Sequence, residues 1–301
     1  MSANARRSRT RSRLASTSWD RVATWYDGWV GARGSRYHLA LALPAVLRLL
    51  EPAPDEQILD IGCGQGVLAP YITAQGARYT GVDASPRLIG TARRRHGAHG
   101  RFLVGDARSL SSTRGLRRAA FDAAVFLLSI QDMDPLEPIV ESLAGALKQK
   151  SRVVMLMTHP AFRQPRHSGW GVDESRALTF RRVDSYLTPM AVPMKALPGR
   201  QPTRAFHRPL SAYVNQLAES GFAVDAMEEL PGDPPFGLAL VTRRSIARNG
   251  RSPCSWHCVR GAGEARCRLP TERCDDPVGS RGRQPQWVDW CRRRPLSTIR
   301  S

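Results

Sequence analysis

The segment Asp60-Ile61-Gly62-Cys63-Gly64-Gln65-Gly66 constrains the fold of this 301-residue chain more than any other feature. It follows a short apolar run at Gln57–Ile61, which predicts a buried strand, and precedes a helical pattern over 67–75. Glycines let the backbone turn tightly and approach a ligand that a Cβ atom would exclude. The helix behind the loop presents free N–H groups. This order of strand, glycine loop and helix predicts a ligand site at the end of the first strand.

The spacing of the glycines separates two classes of ligand. Dinucleotide sites use G-x-G-x-x-G, in which a pyrophosphate lies on the helix N-terminus. Counted from Gly62, the third glycine of that pattern would stand at Val67, whereas this chain has G-x-G-x-G with Asp60 two residues ahead of it. A carboxylate at that point repels a pyrophosphate and attracts a cation. The loop therefore argues against an NAD-dependent oxidoreductase and favours a cationic ligand.

Short apolar strands alternate with helices along most of the chain, which is typical of parallel βαβ units. We predict helices at 39–50, 67–75, 86–96, 135–147 and 211–220. We predict strands at 57–61, 79–82, 101–104, 121–128, 152–157, 222–227 and 236–242. The expected fold class is α/β, with a Rossmann-like, doubly wound, seven-stranded and mostly parallel sheet covered by helices on both faces. Its ligand is expected beyond the carboxyl ends of the strands.

Two acidic residues follow the glycine loop, each at the end of a predicted strand. Asp83 ends the second strand in Gly81-Val82-Asp83-Ala84-Ser85, close to where a ribose-binding acid is expected, and Asp106 ends the third in Gly105-Asp106-Ala107. A carboxylate can accept two hydrogen bonds from a ribose diol. Together with the glycine loop and Phe121-Asp122-Ala123-Ala124-Val125, these motifs resemble class I S-adenosylmethionine (SAM)-dependent methyltransferases over residues 19–244.

This resemblance implies SAM as the cofactor. It implies that Asp60 faces the methionyl part, Asp83 the ribose and Asp106 the adenine amino group. The expected cofactor-binding residues are Tyr26, Asp60, Gly62, Cys63, Gly64, Gly66, Asp83, Ala84, Asp106 and Ala107. The family often has Lys-Pro-Gly-Gly before its fifth strand, whereas this chain has Lys148-Gln149-Lys150-Ser151, which puts the geometry of that turn in doubt.

Three flanking segments narrow the resemblance to type 11 methyltransferases of the small-molecule kind. They are Trp25-Tyr26-Asp27, the run from His159 to Trp170 and Phe206-His207-Arg208-Pro209-Leu210-Ser211. The implied function is methyl transfer from SAM to a small-molecule acceptor. Two alternatives stay open: an RNA-base methyltransferase and a SAM-binding regulatory protein without catalysis. A DNA amino-methyltransferase is disfavoured, because Ser129-Ile130-Gln131-Asp132 lacks the Asn/Asp-Pro-Pro-Tyr/Phe signature after strand four, so a nucleic-acid partner is not favoured.

Residues 159–208 interrupt the alternation with prolines, arginines and few helix signals. A loop of this length without clear secondary structure is often functional, and we interpret it as a lid over the acceptor, inserted after the fifth strand. The alternative is a disordered insertion. His159 and His207 are the candidate general bases, with His38 as a third, because histidine titrates near neutral pH. Each of them could equally be a structural histidine.

Three arginines near this insertion are candidates for binding the acceptor. Arg163, Arg166 and Arg208 could hold a carboxylate or a phosphate through bidentate hydrogen bonds. The alternative is an ordinary basic surface. If the first interpretation is right, the acceptor is an anion.

More than half of the net charge of +19 lies in two flanks of the chain. Residues 1–18 carry five arginines and no acid, and residues 245–301 carry twelve arginines and five acids. A basic flank can bind nucleic acid or anionic lipid. We expect instead a disordered basic leader and a low-complexity tail without a stable fold.

Five of the six cysteines, at positions 254, 258, 267, 274 and 291, fall in that tail. Their spacing lacks a paired C-x-x-C, so we expect no metal site. Cys63 alone lies in the body of the chain, which suits a reducing compartment. No apolar run reaches the length of a membrane span. These features predict a soluble cytoplasmic protein.

Overall fold

The computed structural model describes residues 18–162, 167–194, 203–230 and 239–245. The α-helices in these ranges are α1 (Ser18–Val30), α2 (Leu43–Leu50), α3 (Ala69–Thr73), α4 (Pro86–His96), α5 (Leu136–Ala146) and α6 (Leu210–Glu219). The first five strands are β1 (Gln57–Ile61), β2 (Arg78–Asp83), β3 (Arg101–Val104), β4 (Phe121–Leu127) and β5 (Leu147–Thr158). The later strands are β6 (Ser168–Asp173), β7 (Leu178–Val183), β8 (Met190–Pro193), β9 (Arg204–His207), β10 (Ala223–Leu230) and β11 (Ala239–Ser245). Shorter turns are a π-helical turn at His38–Ala42 and 3₁₀ turns at Ala107–Ser112 and Ile130–Asp132.

The main sheet has the strand order β10-β11-β5-β4-β1-β2-β3. Strands β3, β2, β1, β4 and β5 run parallel to their neighbours in this series. Strand β11 pairs antiparallel with both β5 and β10. The chain moves outward from β1 to β3 and then returns to the other side of β1 as β4. The five parallel strands confirm the predicted Rossmann-like α/β fold, and the switch point between β1 and β4 is where such folds bind ligands.

Helices cover both faces of the parallel strands. Ile58 and Leu59 of β1 point to opposite faces, and each belongs to a separate cluster of buried side chains. The first cluster joins the sheet to α2, α3 and α4, and the second joins it to α5 and α6. Strands buried on both faces are continuously apolar, which is why they stand out in the sequence.

The boundaries of α4 are set by its first residues. Ser85 caps the helix by accepting a hydrogen bond from the N–H of Leu88 at 3.2 Å, and Pro86 occupies the first helical position. Both features are typical of a helix N-terminus, and α4 spans the predicted residues 86–96. Helix α3, in contrast, spans only Ala69–Thr73, which is shorter than the predicted 67–75.

The irregular start of β5 contains a lysine in a left-handed conformation. Lys150 has φ 58°, and β5 begins at Leu147, five residues before the predicted start. The family pattern has glycine in this turn, because a Cβ atom disfavours positive φ. Here Lys150 adopts the left-handed conformation instead of a glycine. The difference from the family sequence therefore introduces local strain into the backbone.

The segment after β5 is not the structureless loop that the sequence predicted. Strand β6 pairs antiparallel with β7, and β8 pairs with β9. Asp173 closes the first hairpin by accepting hydrogen bonds from the N–H groups of Ser175 and Arg176. Large side chains such as Trp170 and Phe180 are exposed on opposite faces of this hairpin. Because neither face is buried, the strands lack the apolar alternation by which strands are recognised.

The predicted leader and tail lie outside the described residues, apart from Ser18 and Ser245 at their edges. Helix α1 begins at Ser18, where the leader ends. No helix in the described ranges combines the length and the apolar composition needed to cross a bilayer.

Candidate functional site

The glycine loop after β1 has the backbone conformation that its glycines predicted. Gly62, Gly64 and Gly66 have φ values of 73°, 55° and 83°. A Cβ atom on Gly62 would lie 2.6 Å from the Cβ of Ser129 and from the Cε of Met133. Glycine at position 62 therefore permits both the turn and its contact with the loop that follows β4.

Backbone and carboxylate hydrogen bonds tie this loop to the end of β2. The N–H of Cys63 donates to the carbonyl of Val82 at 3.1 Å. The N–H of Gly64 donates to Oδ2 of Asp83 at 2.9 Å, and the N–H of Ser85 donates to Oδ1 at 2.8 Å. Each Asp83 oxygen thus keeps one further acceptor position, which matches a ribose diol. Burial raises the pKa of Asp83, while the two backbone donors act in the opposite direction.

Asp60 places a buried carboxylate under the loop. Its side chain is 1% exposed, and its Oδ2 accepts a hydrogen bond from the hydroxyl of Tyr79 at 2.6 Å. Its Oδ1 is buried and has no hydrogen-bond partner among the described residues. Burial raises the pKa of Asp60 to about 7, with a smaller contribution from Asp83. An unpaired buried carboxylate of this kind takes up either a proton or a cationic ligand.

Asp106 follows β3, and its carboxylate is held by Arg108, two residues further along the chain. Arg108 donates to both oxygens of Asp106, with Nη2 at 2.6 Å from Oδ2. This contact lowers the pKa of the Asp106 carboxyl. Ala107 begins the adjoining 3₁₀ turn and packs against the second core cluster. Both oxygens already accept hydrogen bonds from Arg108, so an adenine amino group would have to replace part of this contact.

Helix α1 brings Tyr26 onto the glycine loop. Its Cε1 lies 3.6 Å from the position that a Cβ on Gly64 would take. Asp20 fixes the helix by accepting from the Ser85 hydroxyl at 2.7 Å and from the Arg87 N–H at 3.0 Å. Burial raises the pKa of the Tyr26 phenol, as do nearby carboxylates. Tyr26 is therefore held over the loop by the contact of α1 with the start of α4.

The loop after β4 contributes to the same site. Ser129 donates its hydroxyl to the Ile61 carbonyl at 2.6 Å. Asp132 ends the 3₁₀ turn that follows, and burial raises the pKa of its carboxyl well above the ordinary value. The negative charge of Asp132 also raises the pKa of Tyr26. Asp132 belongs to the segment Ser129-Ile130-Gln131-Asp132, in which no sequence motif marks it as a site residue.

The two predicted catalytic histidines lie in different surroundings. His159 directly follows β5, where its Nδ1 accepts from the Ala161 N–H at 3.1 Å and its Nε2 lies 2.7 Å from Oε1 of Glu229. His207 ends β9, and its Nε2 lies 2.8 Å from the Tyr186 carbonyl, to which it can only donate. Neutral His207 therefore carries its lone pair on Nδ1, whereas both ring nitrogens of His159 face protein groups.

His38, the third histidine named from sequence, sits away from these two. It is buried in the π-helical turn before α2, and its Nδ1 lies 2.9 Å from the hydroxyl of Ser35. Burial lowers its pKa to about 4. His38 is therefore neutral near pH 7 and packs beside Gly34.

Of the three predicted acceptor-binding arginines, only Arg208 is described. It is 7% exposed, donates to the Met133 carbonyl at 3.0 Å and pairs with Asp134. Its Nη1 is buried without a hydrogen-bond partner in the described part of the chain. Arg163 and Arg166 lie outside the described residues. Arg208 thus links the end of β9 to the loop after β4. Its Nη1 remains available to donate a hydrogen bond to a ligand.

No group of three or more His, Cys, Asp or Glu side chains in the described ranges could hold a metal ion. The cysteines of the tail fall outside those ranges. Cys63, which is described, is a free and buried thiol beside the glycine loop.

Comparison with known proteins agrees with this geometry. A family model described as "Methyltransferase domain" matches residues 58–150. The "Ubiquinone biosynthesis O-methyltransferase" of Xylella fastidiosa is 30% identical over 139 residues, which cover 44% of this chain and 56% of that protein. The "Malonyl-[acyl-carrier protein] O-methyltransferase" of Serratia marcescens is 36% identical over 78 residues, covering 26% of this chain and 29% of that protein. The chain thus spans about half the length of the first of these relatives.

Solved structures share the fold over a larger part of the chain. A SAM-dependent methyltransferase from Mesorhizobium loti superposes with a TM-score of 0.58 at 23% identity, covering 67% of this chain and 96% of that one. A Listeria monocytogenes protein gives a TM-score of 0.59 at 20% identity and covers 69% of this chain and 99% of that one. At these identities the likeness establishes the fold.

The sheet order, the glycine loop and the acids at three strand ends define the class I SAM-binding fold. Residues 58–150 match the methyltransferase-domain family model, and the chain shares its fold with solved SAM-dependent methyltransferases. SAM is the cofactor of this class. The residues present fit it, because the buried Oδ1 of Asp60 lacks a partner in the described chain and both Asp83 oxygens keep an acceptor position.

Proposed function

We propose that this protein transfers the methyl group of SAM to a hydroxyl group of a small-molecule acceptor. The single observation that carries the proposal is the buried, unpaired Oδ1 of Asp60 beneath a glycine loop that is hydrogen-bonded to Asp83. Such a site suits the cationic amino group and the ribose of SAM. When bound, SAM supplies a methyl group activated by its sulfonium. The protein binds SAM, orients the acceptor and takes up the proton that the acceptor hydroxyl loses.

An oxygen acceptor is supported by the names of the relatives. The proteins from Xylella fastidiosa and Serratia marcescens are both named O-methyltransferases. A hydroxyl must lose its proton as it attacks, so a base near the acceptor is required. Carboxylates and phosphates on the acceptor would suit Arg163, Arg166 and the free Nη1 of Arg208.

Of the two predicted bases, His207 is the better supported. Its Nε2 is committed to the Tyr186 carbonyl, which leaves Nδ1 as the basic nitrogen. The Nδ1 of His159 already accepts a backbone hydrogen bond, so this ring has no free lone pair. We therefore expect His207→Gln to lower kcat at least about tenfold and His159→Gln to act mainly on stability.

The insertion after β5 is proposed to act as a lid over the acceptor. Its first hairpin exposes Trp170 and Val172, at 73% and 67%, and Leu187 beyond it is 75% exposed. At the base of the insertion, the Tyr186 hydroxyl accepts a hydrogen bond from the N–H of Leu210. Nearby in the chain, Arg208 donates to the Met133 carbonyl in the loop after β4. Apolar side chains on such an arm would cover the apolar part of an acceptor when the arm closes.

The experiment is a screen with the purified full-length protein and isotopically labelled SAM. Catechols, hydroxybenzoates and a metabolite extract serve as acceptors, and formation of S-adenosylhomocysteine (SAH) is measured by mass spectrometry. We expect SAH to form with at least one acceptor in the wild-type protein and not in Asp83→Ala. An equal SAH background in both, with SAM still bound by the wild type, would favour the regulatory alternative. Activity on RNA alone would favour the RNA-base alternative.

We also propose a cytoplasmic location. The free thiol of Cys63 in the body of the protein suits a reducing compartment. Fractionation of cells expressing a tagged full-length protein tests this directly.

A further inference from the structure

The positive charge of residues 19–244 is concentrated in one segment. Residues 78–118 contain ten arginines, no lysine and two acids, Asp83 and Asp106. The rest of residues 19–244 contains eighteen basic and nineteen acidic residues, so it is close to neutral. An uneven distribution of this kind creates a local positive potential, which attracts polyanions to that part of the surface.

The fold gathers arginines of this segment along the outer edge of the main sheet. Strand β3 is the edge strand, and Arg101 is its first residue. Arg93 of α4 donates through Nε and Nη2 to the Phe102 carbonyl of β3, at 2.9 and 2.6 Å. Nη2 of Arg101 donates to the Gly115 carbonyl at 2.8 Å, in the loop that leads to β4. Helix α4, strand β3 and this loop therefore bring their arginines together.

Beside this edge, an open groove of about 290 Å³ lies between the 3₁₀ turn at Ala107–Ser112 and α5. Three arginines and two serines line it: Arg108, Arg117, Arg118, Ser109 and Ser111. Guanidinium and hydroxyl groups are common donors to phosphate oxygens. Glu141 also lines the groove and offsets one of the three charges. The arginines of the edge and of the groove, Arg93, Arg101, Arg108, Arg117 and Arg118, are called here the β3-edge surface.

Two of these arginines are not engaged by the protein itself. Arg117 and Arg118 are exposed, and neither forms an ion pair or a hydrogen bond with another residue in the described ranges. In contrast, Arg95 of the same segment pairs with Asp27 of α1. A guanidinium without a partner keeps its charge and its five N–H groups for a ligand.

The composition of the surface favours a phosphate backbone over a protein or a membrane. Among residues 78–118, all of which are described, no large apolar side chain is exposed. Protein interfaces centre on aromatic or aliphatic anchors, and membrane-surface segments insert apolar side chains. Single-stranded nucleic acid, in turn, stacks its bases on exposed aromatic rings. What remains is a base-paired nucleic acid that is bound through its phosphates.

We propose that the β3-edge surface binds the phosphate backbone of base-paired RNA. RNA is assigned rather than DNA because structured RNA is the abundant polyphosphate of the cytoplasm, which is the location proposed above. The binding does not depend on base sequence, because the surface offers only charges and hydroxyl groups. Strands β2, β1 and β4 separate β3 from β5, after which the proposed base His207 follows. RNA is therefore a docking partner at this surface and not the methyl acceptor.

The test is the binding of the full-length protein to a fluorescent RNA duplex of arbitrary sequence, measured by anisotropy at several salt concentrations. The logarithm of the affinity should fall linearly with the logarithm of the salt concentration, by about 0.9 for each phosphate neutralised. The double variant Arg117→Gln/Arg118→Gln should reduce this slope by about two and weaken binding about tenfold or more near 0.1 M salt. The basic flanks at 1–18 and 245–301 remain in every variant, so their contribution is the same throughout. A wild-type protein without salt-dependent binding overturns the proposal.

Two further double variants serve as controls. Arg176→Gln/Arg204→Gln removes two exposed arginines from the hairpins after β5 and changes the net charge equally, so it should keep the wild-type slope. Arg117→Lys/Arg118→Lys should keep most of the slope but lose part of the affinity, because lysine cannot form the bidentate contact. An equal loss of binding in Arg117→Gln/Arg118→Gln and in Arg176→Gln/Arg204→Gln overturns the proposal, since net charge alone would then explain it.

Two competitors identify the ligand. Polyglutamate at the same total charge should displace the RNA poorly, because its carboxylates are not spaced as the phosphates of a duplex. A DNA duplex of the same sequence should bind no more tightly than the RNA. If polyglutamate competes as well as unlabelled RNA, the surface belongs to an acidic protein, and if DNA binds more tightly, it belongs to DNA. Either result overturns the proposal. The measurement needs neither SAM nor an acceptor, so its outcome is independent of the proposed function.

Discussion

Gly64 and Asp83 are joined by a hydrogen bond of 2.9 Å from the Gly64 N–H to Oδ2 of Asp83. This bond links the turn after β1 to the end of β2, although the two residues are nineteen positions apart. It holds the carboxylate that is assigned to the ribose, and it lies in the turn where Gly64 has a positive φ. Cofactor recognition and the geometry of the loop are therefore coupled.

Asp83→Ala is expected to abolish SAM binding while the fold survives. The variant loses both acceptor positions for the ribose and leaves the N–H groups of Gly64 and Ser85 without their partner. We expect an affinity loss of about a hundredfold or more, because two hydrogen bonds to a charged group are lost. Calorimetry with SAM measures the loss, and circular dichroism checks the fold. Binding at wild-type affinity would contradict the assignment.

Asp60→Asn is expected to stabilise the protein at alkaline pH and to weaken SAM binding. The folded-state pKa of Asp60 is raised from its ordinary 3.8 to about 7, so the folded state binds this proton more tightly than the unfolded state does. The free energy of unfolding should therefore fall as pH rises from about 4 to about 7, and the variant should lack this contribution. At pH about 8 the gain is on the order of 4 kcal/mol.

Urea unfolding at a series of pH values measures this effect. Asp225→Asn, which removes an exposed carboxylate from β10, is the matched control and should show the wild-type slope. Parallel profiles for wild type and Asp60→Asn would contradict the raised pKa.

His38→Gln is expected to reduce the sensitivity of the fold to acid. Burial lowers the folded-state pKa of His38 from 6.5 to about 4, so the unfolded state binds the proton more tightly. The stability from this group is complete above pH 6.5 and is lost as the pH falls from 6.5 toward 4. At pH about 5 the wild type should have lost about 2 kcal/mol through His38. Thermal midpoints between pH 5 and 8 test this, with the less buried His167→Gln as control; an unchanged acid slope in His38→Gln would rule it out.

Lys150→Gly is expected to raise the free energy of unfolding by about 0.5 to 1 kcal/mol. Lys150 has φ 58°, which glycine adopts without strain. Lys150→Ala removes the same charge and side chain but keeps the Cβ atom, so it should give no comparable gain. Denaturant unfolding of the three proteins measures the difference. Equal stabilities of the Gly and Ala variants would mean that the turn is not strained.

Gly62→Ala is expected to destabilise the protein by about 1 to 3 kcal/mol and to abolish SAM binding. Its Cβ would lie 2.6 Å from atoms of Ser129 and Met133, at a φ of 73°. Gly28→Ala is the control, because a Cβ at this position in α1 meets nothing within 4 Å. That control should be neutral or gain up to about 1 kcal/mol from helix propensity. A Gly62→Ala protein as stable as Gly28→Ala would contradict the packing of the loop.

The parallel core could be predicted from sequence because each of its elements is marked by a pattern of residues within that element. Each buried strand is a short apolar run, and Ser85 and Pro86 mark the start of α4. The glycines after β1 indicate a turn with positive φ, which glycine adopts readily. The acids at strand ends follow from the strands, since parallel strands bring their carboxyl ends to one edge.

The rest depends on contacts that are distant in the chain. Tyr79 reaches Asp60 only because β1 and β2 are paired, and Asp20 reaches Ser85 only because α1 docks on α4. Asp132 has an unremarkable sequence context, and the two phenols whose pKa its charge raises, those of Tyr26 and Tyr213, belong to two other helices. The first hairpin after β5 is not recognisable from sequence, because its exposed side chains carry no pattern of burial.

The residues assigned to the cofactor and those assigned to the acceptor lie in separate parts of the chain, which matters for protein synthesis and for design. The residues assigned to the cofactor lie between Tyr26 and Ala107, whereas His207, Arg208 and the hairpins follow the fifth parallel strand. A ribosome therefore completes the nucleotide-binding half before the acceptor half has emerged. Among the described residues, the segment between β5 and α6 meets the earlier part of the chain where β9 contacts the loop after β4 and through Arg208, so a grafted acceptor segment would have to preserve these contacts. Such chimeras would inherit the SAM site of this chain and take their substrate from the donor.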